Sequence, residues 1–291
     1  MASAGDTIKD AAGSATDAAA PALSTAKEVS ARVKEHHVTL MGAGVAFYGF
    51  LAFIPALVAV VSVYGLVADP GDIQERVDDM TGAMPAEARD LIVQQLESIT
   101  ETSSGALSFS LAISLIAAIW ATSSGMSHLV EAVNVAHDET ESRNMVRRRV
   151  LGIALTVGAI VFAVLAVSAI AIWPGIVSAI GLPSPADWLL KLAVWPVLAV
   201  GLMVALAVLY HYAPDRDVPF RWISWGAGIA VVLWLVASIA FQIYASNFGS
   251  YNETYGSLGA IVVMLLWLWI SATVTLVGAE INAVLEGRRA T

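Results

Sequence analysis

The 291-residue sequence contains no cysteine, which excludes disulfide bonds, thiolate zinc sites, iron–sulfur clusters and a cysteine nucleophile. Charged residues make up only 13% of the chain, whereas about 25% is usual in soluble domains. The net charge of −9 argues against a uniformly basic surface for nucleic acid. The sequence also has no phosphate-binding loop ending in Lys-Ser or Lys-Thr, no Gly-x-Ser-x-Gly elbow and no metal-hydrolase spacing of its histidines. We therefore expect no enzyme, no resident metal or cofactor, and no ATPase in this chain.

Apolar residues dominate the composition instead. They make up 58% of the chain, and the mean hydropathy is +0.74. A soluble globule cannot bury so large an apolar fraction, because much of any folded surface faces solvent. A membrane-spanning helix needs about 20 mainly apolar residues, and six runs meet this need: 41–67, 106–130, 150–175, 189–212, 223–247 and 257–284. The pattern predicts an all-α polytopic membrane protein with six transmembrane helices in a domain over 38–286, followed by a tail over 287–291.

Two prolines interrupt the predicted spans. Pro55 removes a backbone donor inside the first run, so we expect a kink there that faces protein or water. Trp173-Pro174-Gly175 lies near the end of the third run and is expected to stop or bend that helix.

Two segments outside the spans have their own composition. The leader over 1–37 starts with 20 residues that are poor in large apolar side chains, and we expect these to be mobile. Pro21 then begins a short amphipathic helix, which either lies at the membrane surface or forms a solvated charged leader. The external loop over 69–104 carries nine acidic residues against two arginines, and its apolar periodicity predicts two short amphipathic helices. Its acidity could reflect adaptation to high salt.

Positive charges indicate the orientation of the chain. Of the 15 lysines and arginines, 12 fall in the leader, the second-to-third connection, the fourth-to-fifth connection and the tail. Six spans place all four of these segments on one side, and the side rich in positive charge is cytoplasmic. We therefore expect a multi-pass protein of the cytoplasmic membrane with both termini in the cytoplasm.

Glu280 is the clearest charge at membrane depth. It lies in the last apolar run, about two turns inside the cytoplasmic end. A charge in the bilayer core costs about 2.5–3.5 kcal/mol on insertion scales, so its presence needs a reason. Glu280 either lines a pathway with Asn282 as a polar neighbour, or forms an interhelical ion pair with an arginine of the cytoplasmic loops.

The second span carries polar groups towards its end. His128, Glu131, Asn134 and His137 are spaced by three residues and could bind a metal or relay protons. The two histidines are nine residues apart, about 13 Å along a helix, so they cannot share an ion and helix exit from the membrane is the better interpretation. Trp120 precedes small polar residues that either pack helices closely or line a cavity: Thr122, Ser123, Ser124 and Ser127.

The short connection over 247–259 is dense in glycines and hydrogen-bonding groups. It either lines a cavity at membrane depth or forms a tight aromatic hairpin at the interface. Its candidate site residues are Tyr251, Asn252, Tyr255, Gly256, Ser257 and Gly259.

Four segments together resemble the YihY/BrkB family of polytopic inner-membrane proteins, once labelled ribonuclease BN. They are 44–55 with Tyr48 and Pro55; Trp120 followed by 131–136 and 147–149; 212–219; and 251–259 followed by 265–269 and 278–283. The resemblance covers about residues 25–286, and its last segment is the most specific. His137 departs from the aromatic residue expected there.

The resemblance implies six transmembrane helices in the cytoplasmic membrane but no established activity, and members have been suspected of transport or lipid export. No acid–base and metal constellation for RNA cleavage is visible, so ribonuclease activity is not expected. The chain is either a transporter of a lipid or lipid-linked anion without its own ATPase, or a non-catalytic scaffold or assembly protein of the envelope. Membrane lipids are the expected partners, nucleic acid is not, and association of several copies is left open. The candidate pathway residues are Tyr48, Pro55, Trp120, Asn134, Tyr251, Asn252, Tyr255, Gly256, Ser257, Gly259, Glu280 and Asn282.

Overall fold

The structure is a computed structural model that describes residues 22–65, 106–180, 186–218, 220–222, 224–246 and 257–290. Every regular element within these ranges is a helix. The helices are α1 (Ala22–Glu35), α2 (Val38–Gly65), α3 (Ala106–Ala136), α4 (Met145–Ile180), α5 (Ala186–Leu192), α6 (Val194–Tyr212), α7 (Trp225–Ser246) and α8 (Ser257–Ala290). The predicted all-α class is confirmed for this part of the chain.

The number of membrane spans is smaller than predicted when only the described residues are counted. Four segments are long and apolar enough to cross a membrane: Met145–Ile180, Asp187–Tyr212, Trp225–Ala245 and Ile261–Arg288. A fifth arises if α1 and the first part of α2, bent by 60° at their junction, form one broken span. The predicted second span is present as the helix α3 (Ala106–Ala136), although α3 is not among these four segments.

The core of the bundle lies at one end. α2 packs against α3 and α8, α8 also packs against α7, and α4 contacts both α3 and α6. The largest buried apolar cluster is centred on Val38, Val130, Val133, Leu209 and Leu276. These residues stand near the start of α2, the end of α3, the end of α6 and the second half of α8. Most large apolar side chains along the middle of α4, α6 and α7 are exposed or half-buried, as lipid-facing side chains are in a membrane protein.

α1 docks along the C-terminal part of α8. The expected amphipathic helix is present, and its apolar residues Val29 and Val33 pack against Ile281 and Val284. His37 follows α1 with φ of 48°, a left-handed conformation that histidine adopts more readily than most residues. This turn allows α2 to leave at a steep angle to α1.

Both prolines lie inside continuous helices. α2 is continuous across Pro55. α4 does not stop at Trp173-Pro174 but continues to Ile180, because contacts with neighbouring helices can compensate for one missing backbone hydrogen bond in a membrane helix. Next to Pro174, the Trp173 indole donates a hydrogen bond of 2.7 Å to the Leu190 carbonyl and so ties this part of α4 to α5. The predicted fourth span, 189–212, corresponds to the segment Asp187–Tyr212, which contains one turn residue, Ala193, between α5 and α6.

The mobile start of the leader over 1–20 and the amphipathic helices predicted within 69–104 lie outside the described residues.

α7 and α8 cross at two glycines. A Cβ atom at Gly226 would overlap the carbonyl oxygen of Gly278. A Cβ at Gly278 would lie 2.8 Å from both the Ala230 Cβ and the Gly226 carbonyl oxygen. Small residues of this kind allow membrane helices to approach each other closely, so no larger side chain fits at this crossing.

We expect Gly226→Ala to destabilise the protein by about 1–3 kcal/mol, the usual effect of overpacking, and to lower the melting temperature in detergent. Gly228→Ala is the matched control on the same helix, because no atom lies within 4 Å of a Cβ placed there. That control should be neutral or slightly stabilising, since alanine is the better helix former. Equal melting temperatures for the two variants would contradict the close crossing.

Candidate functional site: a charge cluster at the bundle end and a lateral cleft

Glu280 is fully buried, with 0% of its surface exposed, and its two carboxylate oxygens have partners from α1 and from His36, the residue directly after α1. Arg32 Nε donates a hydrogen bond of 3.0 Å to Oε2. His36 Nδ1 lies 2.6 Å from Oε1. A buried carboxylate is tolerated only when it is paired and hydrogen-bonded, so the docking of α1 is what allows Glu280 to be buried.

Arg32 also joins this carboxylate to the end of α3. Its Nη2 donates hydrogen bonds to the Ala136 carbonyl at 2.9 Å and to Asp138 Oδ2 at 2.7 Å. His36 Nε2 lies 3.2 Å from Asp138 Oδ1. Because the last carbonyls of a helix have no partner within the helix, Arg32 caps α3 as well. We call Arg32, His36, Asp138 and Glu280 the charge cluster; it links α1, α8 and the α3–α4 connection.

The groups just beyond α3 have shifted pKa values. Burial lowers the pKa of His137, so its imidazole is neutral at pH 7. Its Nδ1 donates to the Val133 carbonyl at 3.0 Å. Partial burial would raise the pKa of Asp138, but the hydrogen bond and positive charge of Arg32 outweigh this and hold the pKa below its usual range. Asp138 is therefore ionised at neutral pH and forms an ion pair with Arg32.

Asn134 organises a second group of contacts at the same end. Its Oδ1 accepts a hydrogen bond of 2.7 Å from the backbone N–H of Asp215, and its Nδ2 donates to Glu141 Oε2 at 3.0 Å. Arg143 holds Glu141 through Nε and Nη2, at 2.6 and 2.8 Å, and donates to the Ala213 carbonyl at 2.7 Å. This polar network fastens the α3–α4 connection to the connection that follows α6.

Asn282 holds the start of α7. Its Oδ1 accepts from the backbone N–H of Gly226 at 2.9 Å, and its Nδ2 donates to Ser224 Oγ at 3.1 Å. Ser224 Oγ also accepts from the Ala227 N–H at 3.1 Å, the usual role of a serine before a helix. Asn134, Glu280 and Asn282, proposed from the sequence as pathway residues, are thus all occupied in fastening the bundle end.

The histidine stripe predicted on the second span is divided among different environments. The His128 ring stacks on Tyr48, with centroids 3.6 Å apart. Glu131 pairs with Arg148 Nη2 at 2.9 Å, whereas Asn134 and His137 face the interior. Among the residues that the structure describes, no group of three or more metal-ligating side chains could hold an ion.

A lateral cleft of about 300 Å³ opens between α2, α3 and α4. Its lining is almost wholly apolar, and Thr122 and Thr156 contribute the hydroxyl groups. Thr156 donates its hydroxyl hydrogen to the Gly152 carbonyl at 2.7 Å. The α4 residues of the lining, 156–163, lie 11 to 18 residues beyond Met145, about 17–27 Å along the helix. The cleft therefore lies near the middle of α4.

The remaining predicted site residues fall in three places. Tyr48 and Trp120 lie beside the cleft on the outer surface, with 40% and 58% of their surfaces exposed. Pro55 lies within α2, between the lining residues Phe53 and Ala56. Ser257 begins α8 and Gly259 lies in its first turn, whereas the remaining candidates are outside the described residues: Tyr251, Asn252, Tyr255 and Gly256.

Sequence reasoning missed the partners of Glu280. It expected an arginine from the cytoplasmic loops, but Arg32 comes from the leader helix. A signal was present, since Arg32 and His36 are four residues apart in an amphipathic segment and so share one helix face. That face could not be assigned to Glu280 without knowing where α1 docks.

Replacing Glu280 by glutamine should lower the melting temperature strongly. The change keeps the shape of the side chain but leaves Arg32 and His36 without their buried anion, and breaking a buried pair in this way costs about 3–5 kcal/mol. Glu28→Gln is the matched control, because Glu28 forms an exposed pair with Arg288 Nη2 at 2.7 Å in the same α1–α8 interface. The control should cost less than about 1 kcal/mol. If Glu280→Gln were no more harmful than Glu28→Gln, the structural role of the carboxylate would be wrong.

Comparison with known proteins gives the family. The family model described as virulence factor BrkB matches residues 29–291. The ribonuclease-like protein YfkH of Bacillus subtilis is 29% identical over 277 residues, which cover 92% of this chain and 97% of YfkH. Shorter matches are found in a UPF0761 membrane protein of Idiomarina loihiensis, 33% identical over 32% of each chain, and in one of Alcanivorax borkumensis, 40% identical over 32% of this chain and 21% of the relative. No solved structure matches. With a family match over most of its length and helices able to span a bilayer, the chain belongs to the BrkB family of multi-pass membrane proteins.

Proposed function

We propose that the protein is a transporter that moves a lipid or a lipid-linked anion across the membrane without an ATPase of its own. The observation that carries this proposal is the lateral cleft between α2, α3 and α4. Its volume of about 300 Å³ is at the lower end of the range of ligand cavities, about 300–1,000 Å³. Its apolar lining suits an acyl chain better than a hydrated ion or a sugar.

The cleft and the bundle end have different roles in this proposal. The charge cluster and the polar network fasten the end of the bundle, and neither lines the cleft. A lipid would therefore enter from the side, between helices, rather than through the charged end. This route needs no hydrated channel and no nucleotide.

We further propose six spans with both termini in the cytoplasm. α1, the α3–α4 connection, the connection after α6 and the end of α8 meet at one end of the bundle. A chain that returns to this end after each pair of helices crosses the membrane six times, with α3 as its second crossing. The end also carries Arg32, Arg143, Arg216 and Arg288, and the positive-inside rule favours placing it in the cytoplasm.

A scaffold role is the alternative. The exposed apolar surfaces of α4 and α6 include Ile172, Ile176, Trp195 and Val197, and such surfaces can bind a partner helix as well as lipid. A scaffold would need no cleft, so filling the cleft distinguishes the two functions.

The test is lipid movement in vesicles that contain the purified protein and a fluorescent phospholipid. Ala159→Trp places a large ring in the cleft, because Ala159 is one of its lining residues, and should reduce the protein-dependent rate by at least about tenfold, equivalent to about 1.4 kcal/mol of barrier. Ala154→Trp adds the same ring at an exposed position of α4 outside the lining and should leave the rate near that of the unaltered protein.

Protein-dependent movement that is equally fast in Ala159→Trp and Ala154→Trp would place the route elsewhere. If the protein moves none of several lipids that differ in headgroup, the transporter proposal is contradicted and the scaffold is favoured.

A further inference from the structure

Arg149 extends in an unusual direction for an arginine near the end of a membrane helix. It is the fifth residue of α4, yet its Nη2 donates a hydrogen bond of 2.8 Å to the carbonyl of Trp120 and its Nη1 donates one of 3.3 Å to Ser124 Oγ. Trp120 lies sixteen residues before the end of α3 at Ala136, about 24 Å along the helix. Long cationic side chains near helix ends normally extend towards the headgroups. Arg149 instead extends away from the charged end of the bundle.

The Arg149 guanidinium lies on the outer surface of the bundle. Its Cζ is 3.9 Å from the centroid of the Trp120 ring, which is a cation–π contact, and 58% of the Trp120 surface is exposed. Among the described residues, no carboxylate pairs with Arg149, whereas its neighbour Arg148 pairs with Glu131. The Nε of Arg149 is shielded and has no hydrogen-bond partner there. The positive charge is thus held by an aromatic ring and a carbonyl, without an anion.

A continuous polar strip connects Arg149 to the charged end. Trp120, Ser124, His128 and Glu131 are spaced by four, four and three residues on α3, which places them on one helix face. Each is exposed or half-buried. We call this surface the α3 strip, together with the side chains that border it: Tyr48 from α2, stacked on His128, and Arg148 and Arg149 from α4.

We infer that the α3 strip binds the phosphate group of an anionic phospholipid, with Arg149 as its main contact. The inference rests on the proposed function and deepens it, because it names the headgroup chemistry and the place where the lipid meets the protein. Two arginines against one carboxylate, Glu131, leave the strip positive. Arginine forms strong paired hydrogen bonds with phosphate, and tryptophan and tyrosine favour the headgroup region. The lateral cleft lies beside the strip and would accept an acyl chain of the same lipid.

The direction in which the Arg149 side chain extends determines the depth at which the α3 strip would hold a phosphate. A phosphate bound there would lie deeper than the headgroups of the surrounding leaflet. Arginine at such depth draws water and headgroups inwards and thins the bilayer locally. The strip would therefore lower the barrier for the first part of a headgroup's passage, before the apolar middle of the cleft.

Lipid binding to the full-length protein in mild detergent tests the inference directly. Phosphatidylglycerol is titrated against unaltered protein and Arg149→Gln, with native mass spectrometry as the readout. We expect the dissociation constant to rise about tenfold in the variant, which corresponds to about 1.4 kcal/mol. Arg147→Gln is the matched control: it removes the same charge two residues away, from a side chain that is exposed and makes no ion pair with the described residues. Its effect should stay below about twofold.

Two further arms make the result specific. Phosphatidylcholine, which is neutral overall, should bind more weakly than phosphatidylglycerol, and soluble glycerol phosphate should not compete at equal concentration. Trp120→Leu keeps every charge but removes the ring beneath Arg149, so it should also weaken binding, and it serves as the second variant if Arg149→Gln does not fold. Equal losses in Arg147→Gln and Arg149→Gln would show that only surface charge attracts the lipid, and competition by glycerol phosphate would show a free-anion site; either result overturns the inference.

The inference and the proposed function fail differently. If vesicles show no lipid movement but phosphatidylglycerol binding still depends on Arg149, the transporter proposal is wrong and the strip stands as a lipid-binding surface. If lipid moves in the unaltered protein, and both binding and movement are unchanged in Arg149→Gln, the strip is wrong and the transporter proposal stands.

Discussion

One buried carboxylate determines how the ends of this chain are arranged. Glu280 is inaccessible to solvent, and a buried carboxylate is tolerated only when cations and hydrogen-bond donors pair with it. Those groups are Arg32 of α1 and His36, the residue directly after α1, so α1 must dock against α8. Since Arg32 also binds the end of α3, a single charge cluster holds the first, third and last helices together.

The charged end of the bundle and the lateral cleft differ in the kind of side chain that the same helices contribute. At the charged end, polar side chains form hydrogen bonds and ion pairs with the segments that connect the helices. Gly226 and Gly278 allow the backbones of α7 and α8 to approach each other closely there. Farther along α2, α3 and α4, the side chains that face one another are mostly apolar and leave the lateral cleft. This apolar cleft along the side of the bundle, away from the charged end, is the observation on which the proposed lateral entry of a lipid rests.

The sequence predicted the helices well because hydrophobic run length is a local property. It also identified Glu280 as a carboxylate in need of a partner, from its position alone. It could not predict that Arg32 is that partner, because the pairing depends on a turn at His37 with a positive φ and joins residues 248 positions apart. It likewise allowed α4 to stop near Pro174, which the helix does not do, since proline rules describe an isolated helix and not one tied to α5 through Trp173. The contact between Arg149 and Trp120 could not be predicted for a similar reason: among the arginines 147–149, only the fold shows which one turns towards Trp120.

The central claim is that the segments joined by the charge cluster and the polar network lie together in the cytoplasm. The absence of native cysteine allows each position to be tested with one introduced thiol and a membrane-impermeant reagent. Cysteines at the exposed positions Leu23, Thr140, Asp217 and Gly287 should all be protected in intact cells and react after permeabilisation, whereas one at Ile180, at the far end of α4, should react from outside. Reaction of Leu23→Cys and Gly287→Cys from opposite sides of the membrane would contradict the account.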